Sequence, residues 1–153
     1  MSLPQPVSDL TAHLGFWLRI VSNHVSQAFA AKLAAREVTV AEWSLMRVLY
    51  GREPMAPSRL AEEMGLTRGA ITRLADRLIA KSLILREASA ADGRAQTLAL
   101  TDRGSALVPH LAALADRNDA EFFDDLSLAE RETLERLLKS LAQRSHMSAT
   151  PIA

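Results

Sequence analysis

Four basic residues recur at helical spacing between positions 68 and 81: Arg68, Arg73, Arg77 and Lys81. Asp76 is the one acid among them, so the segment carries a net charge of +3. Gly69 and Thr72 lie in the same turns. A guanidinium presents paired N–H donors that match the O6 and N7 acceptors of guanine, or two oxygens of a phosphate, and a threonine can touch the methyl group of thymine. Gly69 lets the backbone come close to a partner. Arg77, further along, suits a phosphate contact or an ion pair with the adjacent Asp76. Taken alone, such a run is an ordinary solvated helix face. A second arginine sits in a different setting. Within 88–95, Asp92-Gly93-Arg94 reads as a tight turn. An arginine at such a tip can enter a minor groove, where the negative potential is strong, and Asp92 would orient its guanidinium. Both groups suit contact with a DNA duplex, provided the surrounding chain presents them together.

The elements that would do so are legible. Thr67 is a good N-cap for a helix beginning at Arg68, because its hydroxyl can accept from the free N–H groups of the first turn. Ile71, Leu74, Ala75, Leu78 and Ile79 follow the i, i+3, i+4, i+7, i+8 pattern of one buried face, leaving the basic residues on the other. A shorter helix with Leu60 and Ala61 precedes it and ends at Gly65, a residue suited to a left-handed turn. Ala61, Gly65 and Ile71 stand at the spacing two crossed helices need. Beyond, 83–87 and 96–100 can pair as a hairpin, with Leu98 and Leu100 facing inward. Helix, turn, helix and hairpin in that order describe a winged helix-turn-helix.

At this point the sequence resembles the MarR family of bacterial transcriptional regulators. The resemblance is carried by Leu60-Ala61 with Gly65-Leu66-Thr67, by the run from Ile71 to Leu78, by Arg86, and by Asp92 and Arg94 followed by Leu98-Ala99-Leu100-Thr101 and Gly104. The D-x-R pattern followed by L-x-L-T-x-x-G is its most specific part. One departure is Ser82, where the family usually has glycine after the recognition helix.

Of 153 residues, 48% are hydrophobic, and Lys+Arg and Asp+Glu number 18 each. Net charge therefore gives no hint of nucleic acid; the hint is distribution, since 116–144 carries eight acids and five bases, a net of −3. No cysteine is present, which excludes disulfides, thiolate metal sites and thiol-based oxidation sensing. No apolar run reaches eighteen residues and no signal peptide is apparent, so a cytoplasmic protein without membrane contact is expected. Enzymatic motifs are missing: no Gly-rich phosphate loop, nucleophile elbow or HExxH zinc motif appears. No enzyme activity, cofactor or metal is expected.

Residues 8–35 read as one long helix with a stripe of Leu10, Leu14, Leu18, Val21, Val25 and Phe29. Thr39 and Glu42 form a capping box for a helix to about Arg52, and 51–57 reads as a linker. After the wing, Thr101 caps a helix to about Asp125 in which Pro109 marks a place for a bend, and Ser127 with Glu130 caps a last one. These terminal helices carry more apolar surface than a winged helix of some seventy residues can cover. The expected layout is mainly α with a small β-hairpin wing: a winged helix-turn-helix DNA-binding domain over 39–101, flanked by N- and C-terminal dimerisation helices formed by 8–35 and 102–145, with flexible termini at 1–7 and 146–153. Such a homodimer would place two recognition helices in successive major grooves of double-stranded DNA, about 34 Å apart, and read a near-palindrome. The DNA-binding residues expected are Arg68, Gly69, Thr72, Arg73, Arg77, Asp92 and Arg94.

The resemblance further implies a repressor released by a small aromatic or anionic effector, bound between the dimer layer and the DNA-binding lobe. The residues that could line such a site are His13, Trp17, His24, Trp43, Met46 and Arg47, which offer rings for stacking and cationic groups for a carboxylate. The alternatives are a winged-helix protein-interaction module, against which the basic helix face and Arg94 speak, and a nonspecific DNA-coating protein, against which the zero net charge speaks.

Overall fold

A computed structural model describes residues 4–89 and 95–144. A short 3-10 turn at Leu10–Ala12 leads into α1 (Leu14–Ala34), followed by α2 (Val40–Leu49), α3 (Pro57–Met64), α4 (Arg68–Ala80), β1 (Ile84–Ala88), β2 (Gln96–Leu100), α5 (Asp102–Phe123) and α6 (Leu128–Arg144). The strands pair antiparallel in one hairpin, with Ile84 opposite Leu100 and Arg86 opposite Leu98. The architecture is the mainly helical winged helix-turn-helix expected.

The caps set the element boundaries. Thr39 accepts from Glu42 N–H at 3.1 Å while the Glu42 carboxylate accepts from Thr39 N–H at 2.9 Å, completing the capping box of α2. Thr67 accepts from Ala70 N–H at 3.1 Å and Thr101 from Gly104 N–H at 3.0 Å. Ser127 and Glu130 close the same reciprocal pair before α6. Pro57 occupies the first turn of α3, where its missing N–H has no helical partner to lose, and Gly65 ends that helix at φ 67°.

Four expectations need correction. The single helix over 8–35 is broken at His13, which is extended (φ −95°, ψ 126°). The break leaves the Thr11 carbonyl, which an unbroken helix would use for Gly15 N–H, free to accept the Trp17 indole N–H at 2.8 Å. The second helix ends at Leu49 rather than Arg52, because Tyr50 turns extended and Gly51 takes φ 72°. The stretch 51–57 is more than a linker: Met55 and Leu98 exchange backbone hydrogen bonds of 3.0 and 2.8 Å, giving β2 a second neighbour. The first strand of the hairpin runs over Ile84–Ala88, one residue later than expected. At Pro109, the place marked for a bend, α5 continues as one helix.

The core lies among α2, α3, α4 and the hairpin, closed by Leu33 of α1 and Val108 and Leu111 of α5. Leu33, Leu45, Met46, Leu60, Ile71, Leu78 and Leu111 have no accessible surface, and Leu98 from the wing joins them. Asn118 on α5 is buried and donates to the Val25 carbonyl at 3.1 Å while accepting from Lys32 at 2.9 Å, which ties α5 to α1. The outer helices are different. Leu14 is 88% exposed, and Leu18, Val21, Leu137, Leu138 and Leu141 are exposed as well. No residue of α6 is buried. This is the surplus apolar surface anticipated for the terminal helices.

Candidate nucleic-acid interface

The turn residues Gly65 and Leu66 lead α3 into α4, and Thr67 starts α4 so that its first turns face solvent. Arg68, Gly69, Thr72 and Arg73 are all exposed. Thr72 donates its hydroxyl to the Arg68 carbonyl at 2.9 Å, which fixes its rotamer and leaves its methyl to meet a partner. A methyl group built on Gly69 would meet nothing nearer than Thr67 Oγ1 at 3.9 Å, so the protein itself does not require glycine there. A groove of about 560 Å³ runs beside these residues, lined by Ser58 at the start of α3, Arg68 and Thr72 on α4, and Arg86 and Gln96 on the wing.

Three ion pairs, centred on two carboxylates, hold this surface in place. Arg86 on β1 reaches Asp76 on α4 at 2.9 Å, joining wing and recognition helix. Glu42, whose side chain is 1% exposed, receives Lys81 Nζ at 2.9 Å and Arg77 Nε at 3.6 Å. Lys81 also donates to the Glu37 carbonyl at 2.6 Å. Burial alone would push the Glu42 carboxyl up. The Thr39 N–H and the two cations outweigh it and hold the group below its ordinary value of 4.5. The Arg77–Asp76 pair, one of the two roles open to Arg77 from the sequence, does not form: Asp76 is taken by Arg86, and Arg77 leans toward the buried Glu42, a residue read from the sequence only as a helix cap. A lone acid in the first turn of α2, in a domain whose recognition helix ends in Arg77 and Lys81, was the available signal.

Asp92 and Arg94, the expected wing-tip pair, lie outside the described residues. Ser82, the departure from the family's glycine, takes φ 60°. Its carbonyl accepts the Thr101 hydroxyl at 2.7 Å, so the left-handed turn between α4 and β1 is locked to the start of α5. Gly104 lies directly against that junction: a methyl group there would collide with the Leu83 carbonyl.

The six residues offered for an effector are not equivalent. Met46 has no accessible surface and belongs to the core. Trp43 is half-buried, edge-on to Phe29 with ring centres 6.4 Å apart. Trp17 is 50% exposed and edge-on to Phe16. His24 and Arg47 are exposed, Arg47 lying over the Tyr50 ring at 5.8 Å. His13 sits at the break before α1, its Nδ1 3.3 Å from the Leu10 carbonyl. Among the described residues no group of three or more His, Asp or Glu is placed to hold a metal ion, and no helix is long and apolar enough to cross a membrane.

A capped basic helix, set across a shorter one and braced by a hairpin, defines a winged helix-turn-helix protein of the DNA-reading class. The sequence pattern of the MarR family matches residues 38–95, the lobe that carries these elements. A putative transcriptional regulatory protein for the hcr operon of Thauera aromatica is 32% identical over 144 residues, covering 94% of this chain and 86% of that protein. A mutant of MarR from E. coli, solved in complex with operator DNA, superposes with a TM-score of 0.77 at 26% identity, covering 88% of this chain and 99% of that one. A probable transcriptional regulator from Pseudomonas aeruginosa gives a TM-score of 0.77 at 28% identity over 87% and 99% of the two chains. The chain belongs to the MarR family and is a transcriptional regulator of that family.

Proposed function

We propose that the chain acts as a cytoplasmic homodimeric repressor that binds a near-palindromic operator in double-stranded DNA and leaves it when a small aromatic or anionic effector binds. The observation that carries this reading is the exposed quartet Arg68, Gly69, Thr72 and Arg73 on the first turns of a helix braced at its far end through Glu42. Base edges are reached from the first turns of such a helix. Arg73 and Arg68 address guanine, Thr72 a thymine methyl, and Gly69 permits close approach. Arg77 reaches a phosphate from the same helix, and Arg94, oriented by Asp92, enters the flanking minor groove. The exposed leucines of α1 and α6 supply the face a second copy covers, and twofold symmetry makes the operator a near-palindrome. For the effector, the half-exposed Trp17 ring, the exposed His13, His24 and Arg47 and the half-buried Trp43 are the available side chains. Met46 contributes only through the core.

The test is selection of bound fragments from a random duplex pool at two salt concentrations. A recovered near-palindrome with half-sites about one helical turn apart supports the reading. Enrichment of no sequence, with binding lost at moderate salt, refutes it in favour of nonspecific coating. On the selected site, Arg73→Ala should lose about 10- to 100-fold in affinity, the range of one bidentate base contact. Arg94→Ala should lower both affinity and salt dependence, and unchanged values refute the wing assignment.

A further inference from the structure

The structure holds a second cationic surface, away from both the recognition face and the exposed leucines. Two adjoining cavities of about 300 and 460 Å³ lie where the end of α1 meets the start of α5 and share Arg36, Glu37, Arg103 and Leu107. The inner one is walled by Lys81 and Leu83 at the close of the recognition helix, and the outer one reaches His110. Neither Arg36 nor Arg103 has a carboxylate within ion-pair distance among the described residues, although Glu37 borders the same space. The base-reading turn is remote from the inner cavity, since Lys81 on its wall stands at the opposite end of the 13-residue α4 from Arg68, about 20 Å away at 1.5 Å per residue. The dimer does not explain these charges, since the exposed stripe of α1 ends near Val21 and Arg36 follows the far end of that helix. What remains is a concave surface with two unmatched guanidinium groups, an imidazole at the rim, and a half-buried leucine as floor.

We propose that this surface is a regulatory site for a small organic acid, its carboxylate held by Arg36 and Arg103 and its apolar body resting on Leu107. Guanidinium groups bind carboxylates through paired, charge-assisted hydrogen bonds, and a concave apolar floor supplies the rest of the affinity. The site shares no residue with the set offered above for the effector, and it adjoins the end of the recognition helix directly. Lys81 lines the inner cavity and is the same ammonium that holds Glu42 and the Glu37 carbonyl. A bound acid competes for that ammonium and loosens the clamp on the end of α4. This regulatory step rests on the operator reading above; binding of the acid does not.

The experiment uses 2-naphthoate as probe and neutral 2-naphthamide as its uncharged counterpart, titrated calorimetrically into the full chain without DNA. The expected result is saturable binding of the acid but not the amide, weakened about tenfold by Arg36→Ala and by Arg103→Ala, the loss of one charge-assisted pair. Both arginines are exposed, so these variants fold. Arg59→Ala, on α3 and outside both cavities, should leave binding unchanged. No binding at millimolar naphthoate, equal binding in the Arg36→Ala/Arg103→Ala double variant, or loss of binding in Arg59→Ala overturns the site. Naphthoate that binds through Arg36 and Arg103 yet leaves affinity for the selected operator unchanged refutes the coupling through Lys81.

Discussion

Replacing Gly104 with alanine would push a methyl group into the Leu83 carbonyl oxygen, with the Leu83 carbonyl carbon 3.1 Å and Leu100 Cδ2 3.2 Å away. The obstacle is backbone, so no rotamer change relieves it. Leu83 is also pinned, since its N–H donates to Leu78 and its carbonyl accepts from Thr101 N–H at 3.1 Å. Relief requires prying α5 off the turn that joins the recognition helix to the wing. Overpacking of a rigid site costs about 3 kcal/mol, and losing the Thr101–Leu83 hydrogen bond adds about 1 kcal/mol. Alanine returns about 1 kcal/mol through its better helix propensity. The net expectation is a loss of about 3 kcal/mol, a fall in Tm of about 6–12 °C for a chain of this size. Urea denaturation followed by circular dichroism, with a parallel thermal scan, measures it. The control is Gly69→Ala, where space is open: the same propensity term should stabilise the protein by about 0.5–1 kcal/mol while weakening DNA binding through lost close approach. If Gly104→Ala proves as stable as the parent protein, the close packing of α5 on the base of the wing is wrong.

Ser82→Gly should stabilise the fold by about 1 kcal/mol, because glycine relieves the left-handed strain at φ 60°, and an unchanged or lower denaturation midpoint would contradict that. Glu42 is held below 4.5 in the folded chain, so its stabilising contribution is complete above the ordinary glutamate range and is lost as pH falls through its lower folded value. Glu42→Gln should accordingly lower stability at neutral pH by about 2 kcal/mol, and the gap should narrow as pH drops through 4.5 and below; a pH-independent gap in chemical denaturation would assign the effect to packing instead. Leu18→Glu, on a residue 55% exposed in the single chain, should shift sedimentation toward the monomer and leave the helix content of the isolated chain intact.

Local pattern alone determined much of this protein. The caps at Thr39, Thr67, Thr101 and Ser127 depend on a side-chain oxygen and a backbone N–H three residues apart, and such contacts are fixed by sequence spacing. The buried face of α4 and the exposed basic residues opposite it follow from the 3.6-residue period. The turn at Gly65 follows from the one residue that adopts positive φ without cost. Periodicity could not show that His13 breaks the first helix, because the apolar spacing runs on across the break and the indole–carbonyl bond that spans it leaves no periodic mark. It could not show that Met55 pairs with Leu98, which lie 43 positions apart in the sequence and meet only when the wing folds onto α3. The ion pairs were likewise out of reach. Asp76 and Arg77 are neighbours in sequence but project at about 100° to one another on the helix, so each finds its partner on a different element, Arg86 on the wing and Glu42 on α2. Sequence decided which residues of α4 face solvent; tertiary structure decided what holds that helix in place, because a buried carboxylate's partners are chosen by packing across the fold and leave no periodic trace in the chain.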